Sequence, residues 1–315
     1  MLPELLESMR VVALSTKTNF RGVTTREVAL FKGEAGWGEF SPFLEYGAKE
    51  CVPWLESAIE SATQPTPKLF RNKVKVNGTI PAITDNAEIE RIVNSFPGVN
   101  TFKVKIGENL AEDIARLTKI RSLKPKAKLR ADVNGIWGLD QAITNIRAIY
   151  ENIGELEYIE QPCQTIEELR ELKNKVLAPI KIAGDEVIRK AADPFNIDLT
   201  GTVDILVLKV QPLGGIARAH KIADHFGLPI VVSSALESAV GINHGLKLAA
   251  SFEHLEFDCG LGTGSLLNEN VADLPIIDGE ITIQNIEPDF SGLEVSPERY
   301  KWWKNRVLES AEMMK

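Results

Sequence analysis

The chain has 315 residues, 44% apolar and 25% charged, an ordinary globular composition that excludes disorder. Its 36 basic and 44 acidic residues leave a net charge of −8, which disfavours a nucleic-acid or anionic-membrane surface. No apolar run approaches the roughly 18 residues of a bilayer span, residues 1–10 carry Glu4 and Glu7 and no cationic leader, and three scattered cysteines (Cys51, Cys163, Cys259) suit neither a disulfide framework nor a zinc knuckle, so a reducing cytoplasm is expected.

In chain order, residues 10–15 and 26–31 read as strands, residues 32–36 as a hairpin turn and residues 49–61 as a helix. From residue 76 the pattern changes. Strand-like runs at 76–80, 102–106, 129–133, 157–160, 180–184, 204–209, 229–233 and 255–257 alternate with amphipathic stretches, among them 110–120, 142–150, 166–172, 215–226 and 238–252. The last polar residues of successive strands (Lys105, Asp132, Glu160, Asp185, Lys209, Ser233) follow one another at intervals of 24 to 28 residues. Such spacing implies right-handed βαβ units and a parallel sheet. We expect an α/β protein with a (β/α)7β TIM-like barrel over residues 76–280; an open doubly wound sheet is the alternative. A strand at 281–286 and a helix near Pro297–Glu312 end the chain. Four of the five tryptophans (Trp37, Trp54, Trp302, Trp303) lie in the two ends, so residues 1–75 and 281–315 are expected to form an α+β capping domain with its own core.

Active sites of parallel barrels lie at the carboxyl ends of the strands. Five successive strands end here in an ionisable residue: Lys103 and Lys105, then Asp132, Glu160, Asp185 and Lys209. Lys103 and Lys105 have period two and share a strand face. Mutual repulsion and burial would favour a neutral lysine able to act as a base; a snorkelling surface pair is the plainer alternative. Three converging acids call for a hard dication, Mg²⁺ or else Mn²⁺, with oxygen ligands, unless they merely pair with the lysines as structural salt bridges. Asn134 shares a face with Asp132 and is placed to support the ligands, and Glu186 to hold a lysine or a ligand. Strands two and six oppose each other in an eight-stranded barrel, so Lys105 and Lys209 would flank a small carboxylate substrate. One lysine would remove the proton next to the carboxylate, and the metal would stabilise the enediolate that forms.

Thr101-Phe-Lys-Val-Lys-Ile-Gly107, Arg130-Ala-Asp-Val-Asn134, Tyr158-Ile-Glu-Gln-Pro162, Ala183-Gly-Asp-Glu186 and Val207-Leu-Lys-Val-Gln211 resemble the enolase superfamily, muconate-lactonising-enzyme subgroup. That resemblance covers almost the whole chain. It implies Asp132, Glu160 and Asp185 as Mg²⁺ ligands, Lys105 as base, Lys103 as its tuning neighbour and Lys209 on the opposite face. Gly38-Glu-Phe-Ser-Pro42, residues 232–241 and Cys259-Gly-Leu-Gly-Thr-Gly264 are most similar to the branch of menaquinone biosynthesis that dehydrates 2-succinyl-6-hydroxy-2,4-cyclohexadiene-1-carboxylate, a syn-elimination in which protonated Lys105 helps hydroxide leave and Lys209 steadies the anion by a cation–π contact. N-succinylamino acid racemases and dipeptide epimerases use the same lysine pair. Epimerases usually add an Asp-x-Asp at the last barrel strand, and Glu256-Phe-Asp258-Cys-Gly260 lacks it. A remoter reading is a non-catalytic binding protein on this fold.

For substrate contacts we single out Ser233 and Ser234, loop amides at Gly260 and Gly262, and the cap-loop residues Phe20, Arg21 and Phe43. The alternative for the glycine loop is a plain tight turn; its spacing does not fit a dinucleotide site. His220, His225, His244 and His254 read as ordinary helix residues. No nucleic acid, membrane or obligate protein partner is suggested.

Overall fold

The computed structural model describes residues 2–20, 22–176 and 178–314. After a short helix α1 (Leu2–Glu7), strands β1 (Arg10–Phe20), β2 (Val23–Gly33) and β3 (Gly36–Phe40) form an antiparallel meander, with Leu30 opposite Arg10 and Phe31 opposite Gly38. Alternation along β1 and β2 serves two cores at once. Val12, Leu14, Val28 and Leu30 pack towards the barrel, whereas Val11, Ala29 and Phe31 face helix α2 (Ala48–Thr63), which adds Cys51, Trp54, Leu55 and Ala58. The hairpin and α2 nearly touch backbone to backbone: a Cβ on Gly38 would run into the Ala58 carbonyl. Helix α10 (Pro297–Glu312) completes this layer. Ser296 caps it, Pro297 supplies its first turn, and buried Trp303 donates Nε1–H to Glu27 at 2.6 Å.

The rest is a curled parallel sheet of seven strands: β5 (Gly78–Ile80), β6 (Thr101–Lys105), β7 (Lys128–Asp132), β8 (Tyr158–Glu160), β9 (Ile182–Gly184), β10 (Ile205–Lys209) and β11 (Ile230–Ser233), hydrogen-bonded in sequence order. Helices α3 (Asn86–Asn94), α4 (Leu110–Leu123), α5 (Leu139–Ile153), α6 (Ile166–Lys175), α7 (Glu186–Arg189), α8 (Ile216–Phe226) and α9 (Ala239–Ser251) connect or follow the strands. Strand β4 (Lys73–Lys75) forms a separate antiparallel ribbon with β12 (Glu280–Thr282).

The eighth strand is not at residues 255–257. Two residues further on, Cys259 bridges Val76 and Gly260 bridges Ser233, both in parallel sense, and the two edges of the sheet meet across them. Phe257 instead turns into the barrel. There it joins Tyr158, Ala183, Ile205, Val207 and Val231 in an interior plug. Arg130, fully buried, lies 4.8 Å over the Tyr158 ring and bonds Glu157, Asn77 and the Asp258 carbonyl. Tyr158, Ala183, Val207 and Val231 each stand two residues before Glu160, Asp185, Lys209 and Ser233. By strand periodicity the layer above this plug therefore holds the polar strand ends. Among the described residues, no helix is long and apolar enough to cross a membrane.

Candidate active site

The strand ends meet as an alternating ring of charge. Lys103 Nζ lies 2.8 Å from Glu160 Oε2 and 3.3 Å from Asp132 Oδ2. Lys105 Nζ donates to Asp132 Oδ2 at 2.5 Å and to Asn134 Oδ1 at 3.0 Å. Lys209 Nζ donates to Asp185 Oδ2 at 2.6 Å. All three acids are fully buried and the lysines are at most 8% exposed. Strand register makes the meeting unavoidable, because Lys105 pairs with Asp132 and Asp132 with Glu160 across neighbouring strands.

The electrostatics bear on one of the two lysines. Burial alone would lower the Lys103 pKa, but Glu160 and Asp132 outweigh it and hold the ammonium above the ordinary lysine range. Lys103 is therefore not a neutral lysine; the acids between the cations cancel the repulsion anticipated from spacing alone. Burial also opposes ionisation of Asp132 and Asp185, yet Lys105 and Lys103 for the first, and Arg189 and Lys209 for the second, keep both carboxyls well below the usual range. Glu160 is the exception. Burial, then the neighbouring Asp132, push its carboxyl up to about 7.

Asn134 and Glu186 join the site as expected in place, with a sharper connectivity. Asn134 adopts a left-handed φ of 56°, accepts from Lys105 and donates Nδ2–H to Glu186 Oε1 at 3.2 Å. Arg189, missed in the sequence, donates to Asp185 Oδ1 at 3.0 Å, to Glu186 Oε1 at 2.6 Å and to the Tyr46 hydroxyl at 3.2 Å. It sits on the one-turn helix α7, outside the strand repeat that exposed the others. Gln161, at φ 42°, accepts from the Asp185 and Val187 amides and so fixes the turn carrying Asp185.

A cleft opens over this ring. The three lysines, Arg189, Ser233, Ser234 and Gly260 line its barrel side, and Phe20, Phe43 and Trp54 its cap side. Lys105 Nζ stands 5.7 Å over the Phe20 ring. Ser234 Oγ donates to the Gly260 carbonyl at 2.6 Å and shares a hydrogen bond with Thr263 at 2.8 Å, so it braces the wall. Gly262 does not line the cleft. A Cβ there would come within 2.8 Å of the Asn77 carbonyl, and the residue packs against the β5 edge. Arg21 lies outside the described residues. His244 is a buried helix residue as anticipated, and burial keeps its imidazole neutral, at about 3.

Three hard carboxylates converging in a dry layer suit a divalent cation in donor chemistry. Glu186 Oε2 is buried with no hydrogen-bond partner. Among the described residues, no three acids are gathered as a ready ligand set, because the ammonium groups are interleaved between them. The residue types fit the ion; the lysines hold the acids apart.

Comparison with known proteins places the chain in a family. The model of the enolase C-terminal domain-like family matches residues 87–298, and that of the enolase N-terminal domain-like family residues 11–62. The chain belongs to the enolase superfamily, whose enzymes use a divalent metal ion. Proteins named o-succinylbenzoate synthase are 45% identical in Mycobacterium ulcerans and 44% identical in Mycolicibacterium smegmatis, over 313 residues; both alignments span 97% of this chain, and 94% and 96% of those proteins. Among solved structures, the L-Ala-D/L-Glu epimerase of Bacillus subtilis has a TM-score of 0.74 at 22% identity, covering 91% of this chain and 98% of its own. Muconate lactonizing enzyme of Pseudomonas putida has a TM-score of 0.72 at 22% identity, covering 93% and 97%. These two show a shared fold.

Proposed function

We propose that the chain catalyses the o-succinylbenzoate synthase reaction, the dehydration of 2-succinyl-6-hydroxy-2,4-cyclohexadiene-1-carboxylate to o-succinylbenzoate. One observation carries the proposal. The buried ring of Lys103, Lys105, Asp132, Glu160, Asp185 and Lys209 closes the bottom of a cleft whose far wall is aromatic. Lysines from strands across the barrel from each other face a substrate carboxylate from two sides. Lys105 takes the proton next to that carboxylate, leaving an enediolate; its ammonium then gives the proton to the departing hydroxyl, so one water leaves and the ring becomes aromatic. Lys209 holds positive charge against the opposite face of the anion, and Lys103 keeps Glu160 and Asp132 in place. Asp132, Glu160 and Asp185 are the residues to hold Mg²⁺, which when bound supplies charge to the substrate carboxylate. Mn²⁺ shares this donor chemistry.

The same proposal assigns residues 1–75 and 281–315 to a cap and residues 76–280 to the barrel. It places the enzyme in the cytoplasm, which suits three free, buried cysteines. The test is an ultraviolet assay with the cyclohexadiene substrate and Mg²⁺, run beside N-succinylamino acids. Loss of the diene absorbance is expected. Racemisation without dehydration would overturn the reading, since both reactions draw on the same two lysines.

A further inference from the structure

Cap and barrel meet at a second buried polar cluster, away from the charged ring. Glu39 on β3, 3% exposed, accepts from Ser41 Oγ at 2.6 Å and Gln211 Nε2 at 3.3 Å through Oε1, and from Ser238 Oγ at 2.5 Å and the Gly241 amide at 2.8 Å through Oε2. Gln211 follows Lys209 by two residues, and Ser238 caps α9 at the end of the loop that starts at Ser233. Arg26 on β2 donates Nε–H to the Leu236 carbonyl at 3.1 Å and a second N–H to the Ser41 carbonyl. Its guanidinium lies 4.6 Å over the ring of Phe43, which lines the cleft. Leu236 itself has a left-handed φ of 63°, a conformation that costs energy for a branched side chain and needs outside support.

Buried ionisable groups, here Arg26, Glu39 and the neighbouring Glu237, are an expensive way to dock two layers. Apolar contacts would dock them equally well but would not fix direction. What Arg26 and Glu39 add is register. Arg26 ties the cap loop bearing Phe43 to the barrel loop at residues 233–238, and Glu39 ties that loop to the segment leaving Lys209. We propose that Arg26 and Glu39 are positioning residues that set the distance between the aromatic cap wall and the lysine-bearing barrel wall, and so govern how tightly the substrate is gripped away from its reacting atoms. This rests on the dehydratase reading.

The test is a double-mutant cycle on steady-state dehydration with Arg26→Met, Phe43→Leu and the pair, with Arg26→Lys as the conservative variant. Arg26→Met is expected to raise KM about tenfold, the factor that roughly 1.4 kcal/mol of binding represents, with kcat changed less than about threefold. Phe43→Leu should raise KM in the same sense, and the pair should be no worse than the poorer single variant, because Arg26 acts through Phe43. Arg26→Lys should recover part of the loss, since an ammonium reaches one carbonyl where the guanidinium fork reaches two. A fall in kcat at unchanged KM, or fully additive effects, would overturn the proposal. Should Arg26→Met not fold, an unchanged KM in Phe43→Leu overturns it alone. A wild-type enzyme inactive on the diene sinks the functional reading instead, so the two failures are distinguishable.

Discussion

Lys103 and Lys105 project from one face of one strand, yet different groups hold them: Lys103 lies between two carboxylates, Glu160 and Asp132, whereas Lys105 lies between the Asp132 carboxylate and the neutral amide of Asn134. The division separates their work. Glu160 and Asp132 hold Lys103 as a cation, and Lys105 is the base proposed above.

Lys105→Ala is therefore expected to lower turnover by about a thousandfold, within the range for loss of a general acid–base group. Divalent-ion binding should persist, because all three carboxylates remain. Steady-state kinetics paired with calorimetric Mg²⁺ titration checks both halves. Activity close to wild type would remove Lys105 from the base role.

Mg²⁺ should raise the melting temperature by a few degrees at a concentration about a hundredfold above its dissociation constant, since an ion bound only by the folded state adds roughly 2.7 kcal/mol of stability. Asp185→Ala should abolish that response, and a chelator should reverse it in the wild type. Thermal unfolding by circular dichroism reads this without any turnover. An unchanged response in Asp185→Ala would show that the ion binds elsewhere.

Glu237 offers a pH test remote from the lysines. Burial, then the nearby Glu39, push its carboxyl up to about 7 in the fold, against 4.5 as the ordinary value. The folded state therefore holds a proton that the unfolded chain releases, and stability falls as pH rises from about 4.5 to 7. Glu237→Gln removes that cost while keeping an oxygen for the Ala235 amide, which Glu237 accepts at 2.6 Å. Relative to wild type, the variant should gain little at pH 5 and on the order of 2–3 kcal/mol at pH 8. Urea unfolding at the two pH values measures the difference; an equal gain at both would contradict the assigned titration.

Gly38→Ala tests the contact between hairpin and α2. The new methyl would meet the Ala58 backbone, which cannot rotate away. A loss of about 1–3 kcal/mol is expected from overpacking, seen as a lower denaturant midpoint. The Lys–acid ring lies in the barrel layer, so kcat per folded molecule should change little, whereas the shift of the adjacent Glu39 should raise KM.

Much of this was legible in the sequence because barrels repeat. A polar residue closing each apolar strand at near-constant spacing located all six members of the ring, and a helix near residues 297–312 was also expected. Where the repeat fails, so did the reading. Phe257 is apolar because it plugs the barrel interior, not because it lies in a strand. Arg189 sits on a single helical turn with no periodicity to betray it. The charged state of Lys103 depends on acids 29 and 57 residues away, and the bonds from Glu39 to Gln211 and Ser238 join segments that only folding brings together. Gly262 looked like a loop glycine and proved to be a packing glycine, a distinction made by the Asn77 carbonyl and invisible along the chain.

The seam at Cys259 and Gly260 bears on how the protein is made. During synthesis, most of the chain leaves the ribosome before these two residues do. Until they arrive, β5 and β11 present unpaired backbone along both margins of an apolar sheet, the kind of edge that recruits strands from other molecules. The interval between translation of Ser233 and of Gly260 is thus the period in which a nascent chain most needs protection from its neighbours, and a stalled or truncated product ending inside it would be a strong seed for aggregation.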